Sequence, residues 1–218
     1  MKSARPLVLV ALALFAAAPL AGCRSTYYSL WETFGREKRD LLRSAMQGMV
    51  GDQEEAGERF TTALERVQAL TGFQGGRREA EYDKLKGAYD DAEDSAKQID
   101  ERTKDIEDVA ADLFDEWDKE IGTMQAADLK SASRRKLSET KARYERAHAS
   151  MLESRSRMSP ALALLHDHVL YLKHNLNAAA VGSLMQSMGG IERSVADLQT
   201  SLEASIREAK GFLETMQE

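Results

Sequence analysis

Apolar residues recur along most of this chain at alternating steps of three and four. One seam runs from Tyr82 through Leu85, Tyr89, Ala92, Ala96, Ile99, Thr103, Ile106, Ala110, Leu113 and Trp117, and reaches Ile121 and Met124 after one four-residue slip. An earlier seam joins Met49, Ala56, Phe60, Ala63, Val67 and Leu70, preceded by Trp31, Phe34, Leu41 and Leu42. A third runs from Leu137 through Tyr144, Ala147, Met151, Ser154, Met158, Leu165 and Leu172 to Ala179, and a fourth from Ile191 through Leu198, Leu202 and Ser205 to Phe212 and Met216. A period near 3.5 winds one stripe along a helix and packs it against another. It predicts an all-α fold, an elongated antiparallel helical bundle or coiled coil of three long helices plus a shorter C-terminal one.

Turn chemistry sets the expected boundaries. Thr71 to Gly76, Gly122 to Asp128 and Gly189-Gly190 read as turns, with Asp128 as an N-cap. The helices then fall at about 28–71, 77–125, 128–188 and 190–217. Pro160 removes a backbone donor inside the third and should kink it or split it. Charge orients the middle pair. Residues 91–120 hold thirteen acidic and four basic side chains, and residues 130–157 hold nine basic and three acidic. The reading is an acidic helix lying antiparallel on a basic one with opposite charges facing.

Pro160 to Val181 is apolar on most of its circumference, so it should be buried on several sides or cover a partner. Asn175 falls on its seam, where a buried amide would fix register. Lys173, His174 and Asn177 face away from the seam and form a candidate recognition spot.

The first twenty-two residues have a different pattern. Lys2 and Arg5 precede an uninterrupted apolar run, Leu7 to Ala18, that falls short of the roughly 20 residues needed to span a bilayer. The run is followed by Leu20-Ala21-Gly22 and the chain's only cysteine, Cys23. This order resembles the lipobox of bacterial lipoproteins. The resemblance implies cleavage after a signal peptide, residues 1–22, and acylation (palmitate included) of Cys23 in a mature domain, residues 23–218. Losing Lys2 and Arg5 takes the net charge from −6 to −8. Arg24 in place of Asp implies, by the same resemblance, the outer membrane, with the protein on its periplasmic face. Tyr27 and Tyr28 follow close behind and are candidates for the membrane interface, where such rings are favoured.

Composition narrows the chemistry. Only three prolines, one cysteine and 6% aromatic residues exclude collagen-like and disulfide-framed classes and argue against a β-sandwich. His166 and His168 are two apart and point to different sides of a helix, so no metal site is expected. No serine elbow, free thiol or phosphate loop is present to suggest an enzyme, and no cofactor is implied. A periplasmic address removes nucleic acid as a partner of the basic helix.

Several strings together carry a wider resemblance: Tyr27-Tyr28, Trp31-Glu32, Phe34-Gly35 and Lys38-Arg39-Asp40; Phe73 with Gly75-Gly76; Asp112 to Trp117; Arg143-Tyr144; Pro160; and Val169 to Ala178, containing YLKHNLNA. In these the chain resembles a family of small Gram-negative lipoproteins catalogued only as a domain of unknown function. His168 stands where that family has glutamine. The resemblance implies a helical, partly coiled-coil lipoprotein and no established activity. The expected role is therefore a lipid-anchored periplasmic structural or adaptor protein, presenting a coiled-coil surface to an envelope partner or to itself. The alternatives are a membrane-surface binding or membrane-shaping module, and a ligand-binding protein or enzyme using Lys173, His174 and Asn177.

Overall fold

The three-four rhythm resolves into four helices in the computed structural model, which describes residues 38–72, 78–175 and 178–216. They are α1 (Lys38–Gly72), α2 (Arg78–Thr123), α3 (Ala127–His174) and α4 (Ala178–Thr215), and no strand occurs among the described residues. The last helix, 38 residues, is shorter than the 46 of α2 and the 48 of α3. The signal segment 1–22, Cys23, Tyr27, Tyr28, Trp31, Phe34, the stretch 28–37 of the expected first helix, the turn at 73–77 and Asn177 lie outside the described residues.

Side-chain contacts fix the direction of each helix. On α1 and α2, Lys38 meets Glu116 at 2.7 Å while Arg59 meets Asp91 at 3.2 Å, so the two run antiparallel. Asp52 ties the same pair midway, accepting from Gln98 at 2.9 Å and from Arg102. Gly48 leaves room for that arginine, since a β-carbon there would stand 2.5 Å from Arg102 Nη1. His148 to Glu107 and Arg155 to Asp100 set α3 antiparallel to α2. Arg39 Nη2 donates to the Met216 carbonyl at 2.8 Å and Gln68 Nε2 to Glu192 at 2.9 Å, which closes α4 antiparallel against α1. Each helix thus packs on two neighbours in up-down-up-down order, and the only diagonal contact of note is between α1 and α3.

Residues 38–216 enclose their own core. Met46, Phe60, Leu85, Ile99, Leu165 and Phe212 are among its fully buried side chains. Each contributes about 1.5–3 kcal/mol by leaving water. Ala63, Ala92, Ala110, Ala147, Ala161 and Ala209 alternate with them and let the backbones approach. The α2 seam shifts by one residue near its end: Phe114, not Leu113, is buried there.

The structure corrects four expectations. The turn before the last helix falls at Asn175, not at Gly189-Gly190, so α3 ends at His174 rather than 188 and α4 begins at Ala178 rather than 190. Asn175 leaves helical geometry at φ −138° and ψ 62°; its N–H donates to Leu172 O at 3.1 Å and its Nδ2 to Tyr171 O at 3.0 Å. A short amide that competes for backbone carbonyls favours such an end. Asn175 is therefore the C-cap of α3 and not a register-fixing residue inside it. Gly189-Gly190 stays helical because Met188 and Ile191 pack into the core on either side.

Of the two outcomes expected at Pro160, the split is ruled out, since α3 passes through that residue unbroken. Both Pro160 and Ser156, whose carbonyl loses its N–H partner, are exposed to water. Asp128 is not the N-cap; extended Ala126 takes that position without a side-chain bond, and Asp128 sits in the first turn, where a carboxylate suits the helix dipole. Finally, α2 and α3 do not face each other with opposite charge along their length. Arg155 pairs with Asp100 and His148 hydrogen-bonds Glu107, while Phe114, Trp117 and Tyr144 fill the contact near the α2–α3 turn.

Candidate functional site at the α3–α4 end

The last turns of α3 bury Leu165, His168, Val169 and Leu172, and the first turns of α4 bury Leu184. Between the two helices lies a cleft of about 220 Å³ lined by Asp167, His168, Tyr171, Leu184 and Ser187. His168 is 7% exposed and uses both ring nitrogens. Its Nδ1 lies 2.7 Å from Leu164 O, one turn back on α3, and its Nε2 lies 2.7 Å from Ser187 Oγ on α4. A carbonyl can only accept, so Nδ1 carries a proton. Ser187 Oγ donates to Leu184 O at 3.0 Å, which links the ring to the backbone of α4.

Serine, imidazole and an orienting carbonyl resemble a nucleophile, base and orienter. Ser187, however, lies inside α4, where the neighbouring amides belong to the helical ladder. An acyl-transfer site needs converging N–H groups beside its nucleophile, and the geometry around Ser187 does not supply them. What the arrangement does is hold α4 to α3 at this end. Three large apolar side chains in these turns are exposed, Leu170 by 48%, Tyr171 by 42% and Met185 by 65%, and Tyr171 also lines the cleft. Tyr89 of α2 tilts against His166 with ring centroids 5.7 Å apart, bringing a third helix to the same end.

Of the expected recognition residues, Lys173 and His174 stand exposed in the last turn of α3, where positive charge suits the helix dipole. They sit beside half-buried Asn175. Among the described residues no group of three or more histidine, cysteine or acidic side chains could hold a metal ion, and no helix is long and apolar enough to cross a membrane.

A second polar feature escaped the pattern. Gln53, fully buried on α1, donates through Nε2 to Ser205 Oγ of α4 at 2.8 Å and to Ser154 Oγ of α3 at 3.2 Å. No donor among the described residues reaches its Oε1. The signal was a gap: the seven-residue step from Met49 to Ala56 skips the seam position that Gln53 occupies. The strongest electrostatic perturbation lies nearer the α2–α3 turn. There burial, aided by the Glu107 carboxylate, pushes the Tyr144 phenol up to about 12.

The model of one family, described as Protein of unknown function (DUF2959), matches residues 27–216. The chain belongs to this family. No curated protein and no solved structure matches it. The DUF2959 match spans all four helices, so the α3–α4 end and the Gln53 layer both lie within the family's domain.

Proposed function

We propose that this DUF2959 protein is a lipid-anchored spacer and adaptor of the bacterial envelope. In this reading Cys23 carries the acyl chains on the periplasmic face of the outer membrane, and the bundle presents its α3–α4 end to an envelope protein or to a second copy. The observation that carries it is the exposure of Leu170, Tyr171 and Met185 at the end of the bundle away from Lys38, where α1 begins. Large apolar side chains left exposed near one end of a bundle mark an interaction site where they adjoin. The 35 residues of α1 separate that end from Lys38 by about 50 Å.

Two measurements test the reading. A photo-cross-linking residue at position 170 or 185 of the full-length protein should give a discrete adduct in cells, absent from exposed Thr200 on α4. Equal, diffuse labelling at all three positions would overturn the adaptor role. Cys23→Ser should release the protein from membrane fractions; retention would overturn the anchor.

A further inference from the structure

Little of the positive charge in the first half of α3 is paired with α2 among the described residues. Between Lys130 and Arg146, α3 carries seven basic residues and two acidic ones, Glu139 and Glu145. Nearby carboxylates of α2 find other partners: Asp115 pairs with Lys119 of its own helix at 2.6 Å and Glu116 with Lys38 at 2.7 Å. Lys141 does turn to α2, with Nζ 5.6 Å from the centre of the Phe114 ring and its charge felt by Asp115. Arg135, Lys136, Arg143 and Arg146 are exposed and join no ion pair among the described residues. Arg135 donates to Ser131 Oγ at 2.9 Å and Arg146 to Ala142 O at 3.2 Å, which leaves their charge uncompensated.

These four residues share a flank. Steps of seven (136 to 143) and eleven (135 to 146) return to nearly the same side of a helix, so all four fall within an arc of roughly 100°. Glu139 lies in the same arc without an ion pair. The flank belongs to the half of α3 that runs beside the start of α1. Trp117 of α2 donates to Ser133 of α3 at 3.0 Å, one residue beyond the Lys38–Glu116 contact. Lys38 follows Cys23 by fifteen positions, a reach of at most about 50 Å.

We propose that the Arg135, Lys136, Arg143 and Arg146 flank of α3 is where the bundle rests on an anionic phospholipid surface. The inference rests on the lipid anchor at Cys23, which would hold this half of the bundle near a bilayer. The whole chain is acidic, at −6, and α2 more so, so a negative surface repels the other flanks and selects this one. Each basic residue at such a surface strengthens binding roughly fivefold. Tethering makes the contact intramolecular, so the same patch that binds untethered also sets the orientation of the anchored bundle.

The test uses residues 24–218 without an acyl group, since the four helices enclose their own core. Sedimentation with phosphatidylcholine vesicles, with or without phosphatidylglycerol, reads the binding. The chain should bind the phosphatidylglycerol vesicles alone, and less as salt rises. R143Q with R146Q should weaken that binding about 25-fold, with helical circular dichroism and melting unchanged. Lys84→Gln with Lys86→Gln, near the start of α2, should leave it within about twofold. Equal binding to neutral vesicles, or indifference to R143Q with R146Q, would overturn the proposal. So would self-association that depends on the same arginines, which would make the acidic α2 of a second copy the occupant. The outcome does not depend on acylation, whereas release of the Cys23→Ser protein from membranes reads the anchor alone.

Discussion

At the end where α1 begins, His148 of α3 reaches across to Glu107 of α2 at 2.7 Å. At the opposite end His168 of the same helix reaches Ser187 of α4, also at 2.7 Å. Around His148 the aromatic rings turn inward. Tyr144 stacks on it with centroids 5.6 Å apart, and Phe114 and Phe212 meet Tyr144 edge-on at 5.5 and 6.0 Å. Around His168 large apolar side chains turn outward, Leu170 and Met185 most of all. A polar tie between helices is common to both ends; what separates them is the packing around the tie, although Leu129 by the α2–α3 turn is itself 67% exposed. Buried apolar area holds the helices together, and exposed area remains for a partner.

Phe212→Ala attacks the first end at its most buried ring, 1% exposed. It should cost about 3–5 kcal/mol, the range for emptying an aromatic site in a packed core. Urea denaturation measures it. A loss under about 1 kcal/mol would mean that the aromatic group is not the structural end of the pair.

His168→Ala addresses the other end and should cost less, about 1–2 kcal/mol, because it deletes one interhelical bond and leaves Ser187 with Leu184 O as an acceptor. The effect should be local. Amide exchange should quicken in the first turns of α4 and stay unchanged around Phe212. Uniform quickening along the bundle would erase the distinction between the ends.

Between the two ends sits the Gln53 layer, where the limits of the sequence are clearest. The seams at Ile99, Met151 and Leu198 were legible because a 3.5 period survives any choice of partner. Ser154 and Ser205 were on their seams too, yet nothing in a one-dimensional pattern says that both meet Gln53 of α1. That depends on the register of three helices at once. The α3–α4 turn was misplaced for a related reason: paired glycines look like a break, but packing of Met188 and Ile191 overrides their low helix propensity, and Asn175 ends α3 instead. The exposed Leu170 and Tyr171 were legible as an all-round apolar helix, though not which side would stay open. Gln53→Leu with Ser205→Ala should raise stability by about 1 kcal/mol by removing the unpartnered Oε1 together with the buried hydroxyl it would otherwise strand, while Ser154 keeps its bond to Met151 O at 2.9 Å. A lower denaturation midpoint would show that the layer adds net stability, like the aromatic end.

The Tyr144 phenol gives the aromatic end a pH signature. Its pKa is pushed from an ordinary 10 to about 12, chiefly by burial, so the folded state holds the proton that the unfolded state releases first. The resulting stability is fully present below pH 10 and is lost as pH rises toward about 12. Wild-type melting temperature should therefore fall more steeply than that of Tyr144→Phe across this window. Parallel curves would mean that the ring is not sealed from water.

Leu170→Ser with Met185→Ser is the smallest perturbation to folding and the one that most directly tests the contrast. Both side chains are about half exposed or more, so stability should move by less than about 0.5 kcal/mol. If exposed apolar area at this end serves a partner, the double variant should fold and melt like the wild type yet lose the adduct formed by a photo-cross-linker at Tyr171. If it melts several degrees lower instead, those side chains are packing residues, and the two ends of the bundle differ in degree rather than in kind.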